Sequence, residues 1–417
     1  MNSDGKSSPT RRNFLTAACG LIAAAGADFG VSAAISIAGP SPAIADSEPF
    51  WGEHQGGILT RAQTHTYFAS FDLISTNRQE VIGLLRDWTA ATARMSGGQT
   101  APGSDSGEAL DLPPARLTVT FGFGSGIFMK DGQDRYGLAA HRPEALVDLP
   151  RFNGDQLVEA HTGGDVSIQA CADDPQVAFH AVRQLARIGY GVAQLRWTQT
   201  GFLPQTGPNQ TPRNLMGFKD GSNNPPTDDP KAMQQFVWVG GEGPDWMRGG
   251  SYLVVRRIRI ALEHWDRMSV EFQEQTVGRK KYSGAPLTGK NEFDPPDLDA
   301  VDKDGNSIIP DNAHIRLAAA GSNDGVRILR RPYSYNDGVN FTSERWPPWR
   351  QGMEYDAGLL FVSYQRDPRT GFIKIFDGIS KLDMLNQFAT HTGGGLFACP
   401  PGVSADEYIG QRLFATA

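Results

Sequence analysis

Two stretches, GDVSIQACADDPQVAF at residues 164–179 and GLLFVSYQRDPRTGF at residues 358–372, follow one plan. Each carries an apolar, strand-forming run into Asp-Pro, and each places a phenylalanine five residues beyond that aspartate, Phe179 after Asp174 and Phe372 after Asp367. Proline lacks the amide hydrogen that a ladder needs but is tolerated in the first turn of a helix, so Asp-Pro closes a strand and opens a helix. The echo suggests a duplicated unit.

The flanking segments extend the plan in both directions. Alternation in THTYFASFDL predicts a strand over 65–73, and RQEVIGLLRDWTAATARM has helical spacing at Val81, Leu84, Leu85 and Trp88. ARLTVTFGFGSGIF reads as a strand ending in glycines, GDVSIQACADD as another, and PQVAFHAVRQLARIG as a helix opened by Pro175. The second half repeats the order: the strand GGSYLVVRRIRIAL, the helical WDRMSVEFQEQTVGR, the strands GVRILRR and GLLFVSYQRD, and a closing helical segment near 372–389. Two βαββαβ-like halves with antiparallel sheets facing each other give an α+β fold. Residues 200–250 and 283–313, rich in Pro, Gly, Asn and Asp, read as long functional loops.

The N-terminus carries an address. SPTRRNFL sets Arg11 and Arg12 before the weakly apolar LTAACGLIAAAG, and AIAD at 43–46 supplies a small-residue cleavage site after Ala45. That pattern is a twin-arginine signal over residues 1–45, which predicts export of the folded chain to the periplasm. A buried N-terminal helix would need amphipathic spacing, and this segment is Ala/Gly-rich and contains Asp28. No other run approaches the roughly 18–20 apolar residues of a membrane span.

The whole chain of 417 residues is 39% hydrophobic and 10% aromatic, ordinary for a packed protein, with a formal net charge of −7. Residues 1–45 hold three basic and two acidic side chains, so the remainder stands at −8. Without a basic block it is not expected to bind nucleic acid. Of three cysteines, Cys19 lies in the signal, while Cys171 and Cys399 fit either a disulfide or two buried thiols.

The chain lacks a phosphate loop, G-x-S-x-G, H-E-x-x-H and C-x-x-C-H, which sets aside the familiar hydrolases, kinases and covalent haem attachment. What stands out is GFKDGSNNP at 217–225, with Asp220 between glycines, followed by DNAHIRL with His314 and RILRRPYSY with Arg330 and Arg331. A glycine-flanked aspartate is by itself a turn, and a lone histidine is by itself a structural residue. In VRILRR, period-2 alternation sends Val326, Ile328 and Arg330 to one face and Arg327, Leu329 and Arg331 to the other. Arg330 thus emerges on the more apolar face, where a guanidinium needs a partner, and Arg331 reads as solvated. An imidazole, a carboxylate and such an arginine around a glycine-lined cavity fit a haem iron held from one side, with an acid and a cation handling peroxide on the other.

GFKDGSNNP resembles the G-x-x-D-G signature of the dye-decolorizing peroxidases. FWGEHQGGI, HIRL, RRPYSY and GLLFVSYQRDPRTGF resemble their exported deferrochelatase/peroxidase branch, in order and across nearly the whole chain from Phe50. The resemblance implies two tandem ferredoxin-like halves of the dimeric α+β barrel type, over 46–210 and 211–417, with one non-covalent haem b held mainly by the second. It implies Asp220 as distal acid/base, Arg330 as distal arginine and His314 as proximal iron ligand. Gly221, Ser222 and Asn223, with Ala319, Ala320 and Gly321, would line the haem. The acceptor for the second N–H of His314 would lie in KLDMLNQF as Asp383, against the reading of Asp383 as a solvated helix carboxylate. The implied partners are H2O2 and an unidentified electron donor, with components of an iron-uptake system as further candidates; a homodimer is one option. The rival function is a deferrochelatase, which handles haem without peroxidase turnover as its main role. Trp197, Tyr335 and Trp349 are candidate surface relays for electrons, or packing residues.

Overall fold

The structure, a computed structural model, describes residues 47–103, 105–207, 210–343 and 351–415. The twin-arginine signal and Trp349 lie outside the described residues. In the first half, strand β1 (His65–Leu73) leads to helix α1 (Arg78–Ser96), β2 (Thr118–Phe123), β3 (Val166–Ala172), helix α2 (Pro175–Ile188) and β4 (Ala193–Phe202). The Asp174 side chain caps α2 by accepting from the amides of Gln176 and Val177, with Pro175 behind it in the first turn. Helix α1 buries Val81, Leu84, Leu85 and Trp88, each contributing on the order of 1.5–3 kcal/mol by removal from water.

The second half contains helix α3 (Pro230–Phe236), β5 (Ser251–Ile260), the short α4 (Leu262–Trp265) and α5 (Val270–Val277). There follow α6 (His314–Ala318), β6 (Leu329–Arg330), β7 (Tyr333–Ser343), β8 (Gln351–Gln365), α7 (Lys374–Leu382) and β9 (Ala389–Cys399), with α8 (Gln411–Ala415) closing the chain. The strand order is β2-β3-β1-β4 in the first half and β7-β8-β5-β9 in the second, so both halves share one topology. All pairings between these strands are antiparallel. The halves meet edge to edge through β2 with β9, at Phe123 and Ala398, and through β4 with β7, at Phe202 and Ser334. Because β5 also pairs with β8, the sheet closes into a barrel of the expected α+β class.

Closure covers both faces of the second sheet. Along β5, Tyr252, Val254, Arg256, Ile258 and Ile260 alternate with Leu253, Val255 and Arg257. Leu253 and Val255 join Phe68, Trp197, Tyr333 and Phe397 in a core inside the barrel, while Ile258 and Ile260 face a cavity on the other side. Several expectations change for that reason. Arg331 is buried, not solvated: it donates to the carbonyl of Thr60 and to Gln63 Oε1 across the barrel. Trp197 and Tyr335 are buried rather than at the surface. GVRILRR contributes only the two-residue β6, and the closing helical segment stops short of β9, the true last strand. Cys171 and Cys399 are free, buried thiols, and burial pushes the Cys399 pKa up. Among the described residues no helix is long and apolar enough to cross a membrane.

Candidate active site

The cavity lies between the outer face of the second sheet and the segments that carry the singled-out residues. Its walls are apolar, built from Ile258, Ile260, Leu359, Phe361, Phe372 and Phe376. His314 borders it, as do Asp220 and Arg330.

His314 is the first residue of α6, and its Nδ1 lies 2.6 Å from Asp383 Oδ2. Asp383 sits where α7 ends. Its other oxygen accepts from the amide of Leu385 at 2.8 Å, capping the next turn, and its side chain is fully shielded from solvent. A solvated helix carboxylate is therefore not what the fold provides. Burial opposes charge on the imidazole, but the Asp383 carboxylate outweighs it and raises the His314 pKa. With the Nδ1 proton donated to Asp383, Nε2 is the nitrogen left with a free lone pair.

Asp220 and Arg330 form an ion pair, Nη1 to Oδ1, at 2.8 Å. Among the described residues the hydrogen-bond partner of Asp220 Oδ2 is Asn214 Nδ2, at 3.4 Å, so this oxygen keeps acceptor capacity. Gly217 and Gly221 on either side have φ of +84° and +122°, which side chains with a Cβ rarely adopt. Gly221 borders the cavity. Gly217 does not: a Cβ there would strike Lys281, so its need is the turn and not a flat ligand. Ser222, Asn223, Ala319 and Ala320 line the cavity, whereas Gly321 is exposed and lies outside the lining.

Sequence reasoning missed three residues that hold this arrangement. The Asn224 side-chain amide donates to the Arg330 carbonyl at 2.7 Å and accepts from its N–H at 3.2 Å, acting as a strand partner for β6. Glu292, from the 283–313 loop, takes the Ser222 hydroxyl at 2.9 Å and the Lys219 ammonium, so one carboxylate grips both sides of Asp220. Burial would raise the Glu292 pKa, but Lys219, Thr211 and Ser222 hold it below the usual carboxylate range. His391 lines the cavity and accepts from Arg256 Nε at 2.9 Å, with Asp155 paired to Arg256. Burial and Arg256 push the His391 pKa well down, which keeps that ring neutral. Nothing local in the sequence marks Glu292 or Asn224, since both sit among turn residues.

An apolar slot with one imidazole nitrogen free and an acid–cation pair also at its wall suits a flat metal macrocycle such as haem. Residues 55–203 match the family described as Dyp-type peroxidase, N-terminal, and residues 211–404 match Dyp-type peroxidase, C-terminal. The chain is similar to the dye-decolorizing peroxidase of Thermobifida fusca, 36% identical with 97% of each chain covered. It is also similar to the deferrochelatase of Escherichia coli O157:H7, 35% identical with 98% of each covered. Among solved structures, the X-ray generated oxyferrous complex of DtpA from Streptomyces lividans aligns with a TM-score of 0.81 at 39% identity, covering 89% of this chain and 98% of that one.

Proposed function

The chain belongs to the Dyp-type peroxidase family, and we propose that His314, Asp220 and Arg330 run its chemistry around a single non-covalent haem b. It is a haem peroxidase that reduces H2O2 with one-electron oxidation of a donor. The observation that supports the residue assignment is the presence, around one apolar cavity, of the His314–Asp383 contact and the Asp220–Arg330 pair. Bound haem supplies the iron that takes oxidising equivalents from peroxide and returns them one electron at a time.

The chain's own groups do the rest. His314 offers Nε2 to the iron, and Asp383 fixes its tautomer and raises its basicity. Asp220 accepts the proton of one peroxide oxygen and delivers it to the other, which leaves as water. Arg330 stabilises the negative charge that builds on the departing oxygen. The apolar walls exclude water and strengthen both interactions. Peroxide turnover of the purified, haem-loaded chain with a one-electron donor tests this directly.

The similarity to a deferrochelatase favours one second reading, release of iron from haem with recovery of the intact tetrapyrrole. Assaying free iron and tetrapyrrole alongside peroxide turnover separates the two. Export follows the same logic of a folded, loaded cargo. Changing Arg11 and Arg12 to Lys, outside the described residues, should trap a precursor in the cytoplasm, because the export receptor reads paired arginines and not charge alone. Efficient export of that variant would point to another route.

Glu292→Gln keeps an acceptor for Ser222 but loses the charge facing Lys219. The variant should keep its haem and react with H2O2 more slowly, by about threefold to tenfold, as one weakened charged contact implies. Because the Glu292 pKa is depressed by folding, its contribution is full above the ordinary carboxylate range and fades as pH falls through its lowered value. The gap between wild type and variant in a pH–rate profile should therefore close in acid. A gap independent of pH would remove the carboxylate from this role.

A further inference from the structure

A second cavity of about 280 Å3 adjoins the first and shares Asn214, Asp220, Gly221, Arg330 and Leu359 with it, so it opens directly onto the acid–cation pair. Its charge is unusual for a protein of net charge −7. Among the described residues four arginines line it, Arg61, Arg213, Arg330 and Arg331, and one carboxylate, Asp220. Asp220 is already taken by Arg330. The other three guanidinium groups are tied to neutral acceptors. Arg61 donates to the Thr206 carbonyl at 3.0 Å. Arg213 donates to the carbonyls of Gly217, Lys281 and Tyr282 at 2.6–2.8 Å. Arg331 donates to the Thr60 carbonyl and to Gln63. Among the described residues none of the three forms a salt bridge with a carboxylate, so the chamber wall carries about three positive charges without a carboxylate partner, from the exposed Arg61 to the buried Arg331.

We propose that this chamber is a binding site for small organic anions, and that it receives the charged end of an anionic reducing donor beside Asp220 and Arg330. The surrounding backbone carbonyls fix the guanidinium groups in place without cancelling their charge, so the site is preorganised for an anion. Thr211 and Asn224 add polar groups to the wall. The consequence for turnover rests on the peroxidase reading. For a donor AH−, the reaction is H2O2 + 2 AH− → 2 H2O + 2 A•−, each donor losing one electron and one proton, and the two protons joining the hydroxyl fragments of peroxide as water.

The test is equilibrium dialysis of the haem-loaded protein with benzoate and with its neutral isostere benzamide, at low and high salt. Benzoate should bind and benzamide should not, with benzoate affinity falling as salt rises. Arg61→Gln at the chamber mouth should weaken benzoate by roughly fivefold, as loss of one nearby charge predicts, and Arg61→Lys should restore most of it. Equal binding of both probes, binding of neither, or an unchanged benzoate affinity in Arg61→Gln would overturn the proposal. A Soret band and turnover of the neutral donor hydroquinone, measured on the same wild-type preparation, tell failure of this site from failure of the peroxidase assignment.

Discussion

Replacing His314 with alanine is expected to yield a folded protein that has lost most of its haem. The side chain belongs to none of the apolar clusters inside the barrel or beneath α1 and α2, so its removal leaves those cores whole. What would disappear is the imidazole proposed to hold the haem iron, and with it the main bond between protein and cofactor. The variant also strands a buried carboxylate, because Asp383 keeps the Leu385 amide but loses its imidazole partner. Some loss of thermal stability is therefore expected, and Asp383→Asn serves as the second variant. Its amide oxygen still accepts from Nδ1, so haem should stay bound while the less basic imidazole raises the iron reduction potential. Haem content, circular dichroism and potentiometry read these outcomes. Full haem occupancy with an unchanged spectrum in His314→Ala would remove His314 from the proximal role.

Asp220→Asn preserves size and hydrogen bonding but cannot take the peroxide proton. Stopped-flow mixing with H2O2 should show the haem-loaded variant reacting about 100- to 10,000-fold more slowly, the usual weight of general acid–base catalysis. Arg330→Leu should also be slow, for a different reason: it removes the cation and leaves the Asp220 carboxylate, 13% exposed, without its ion-pair partner. The two defects differ in kind, since only the arginine variant retains the carboxylate that can accept the peroxide proton. If Asp220→Asn reacts near the wild-type rate and only Arg330→Leu collapses, Asp220 is not the essential base. Its place between Gly217 and Gly221 then serves to hold Arg330 and the loop.

The duplicated topology was legible because alternation and the two Asp-Pro echoes are local signals. Strands β4 and β9 were not. AQLRWTQTGF is too polar to announce a strand, and its partner inside the barrel is the buried Arg257, which Gln199 receives at 2.7 Å. ATHTGGGLFAC looks like a loop, yet its glycines answer close approach: a Cβ on Gly393 would meet the His161 carbonyl at 2.4 Å, and one on Gly394 the Val255 carbonyl at 2.1 Å. Arg330 and Arg331 show the limit of period-2 reasoning. Alternation assigned them to opposite faces, but only the closed barrel reveals that the second face is covered by the other half. Glu292 and Asn224 act across 70 and 106 residues of sequence, a separation that no motif encodes.

The account stands most directly on whether this cavity holds haem, and the visible absorption spectrum of the purified protein, as isolated and after incubation with haemin, measures that. A Soret band, strong at about one equivalent of haemin and largely lost in His314→Ala once unbound haemin is removed, is the predicted result. A wild-type chain that stays colourless after haemin would contradict the assignment of His314, Asp220 and Arg330 to a haem peroxidase site.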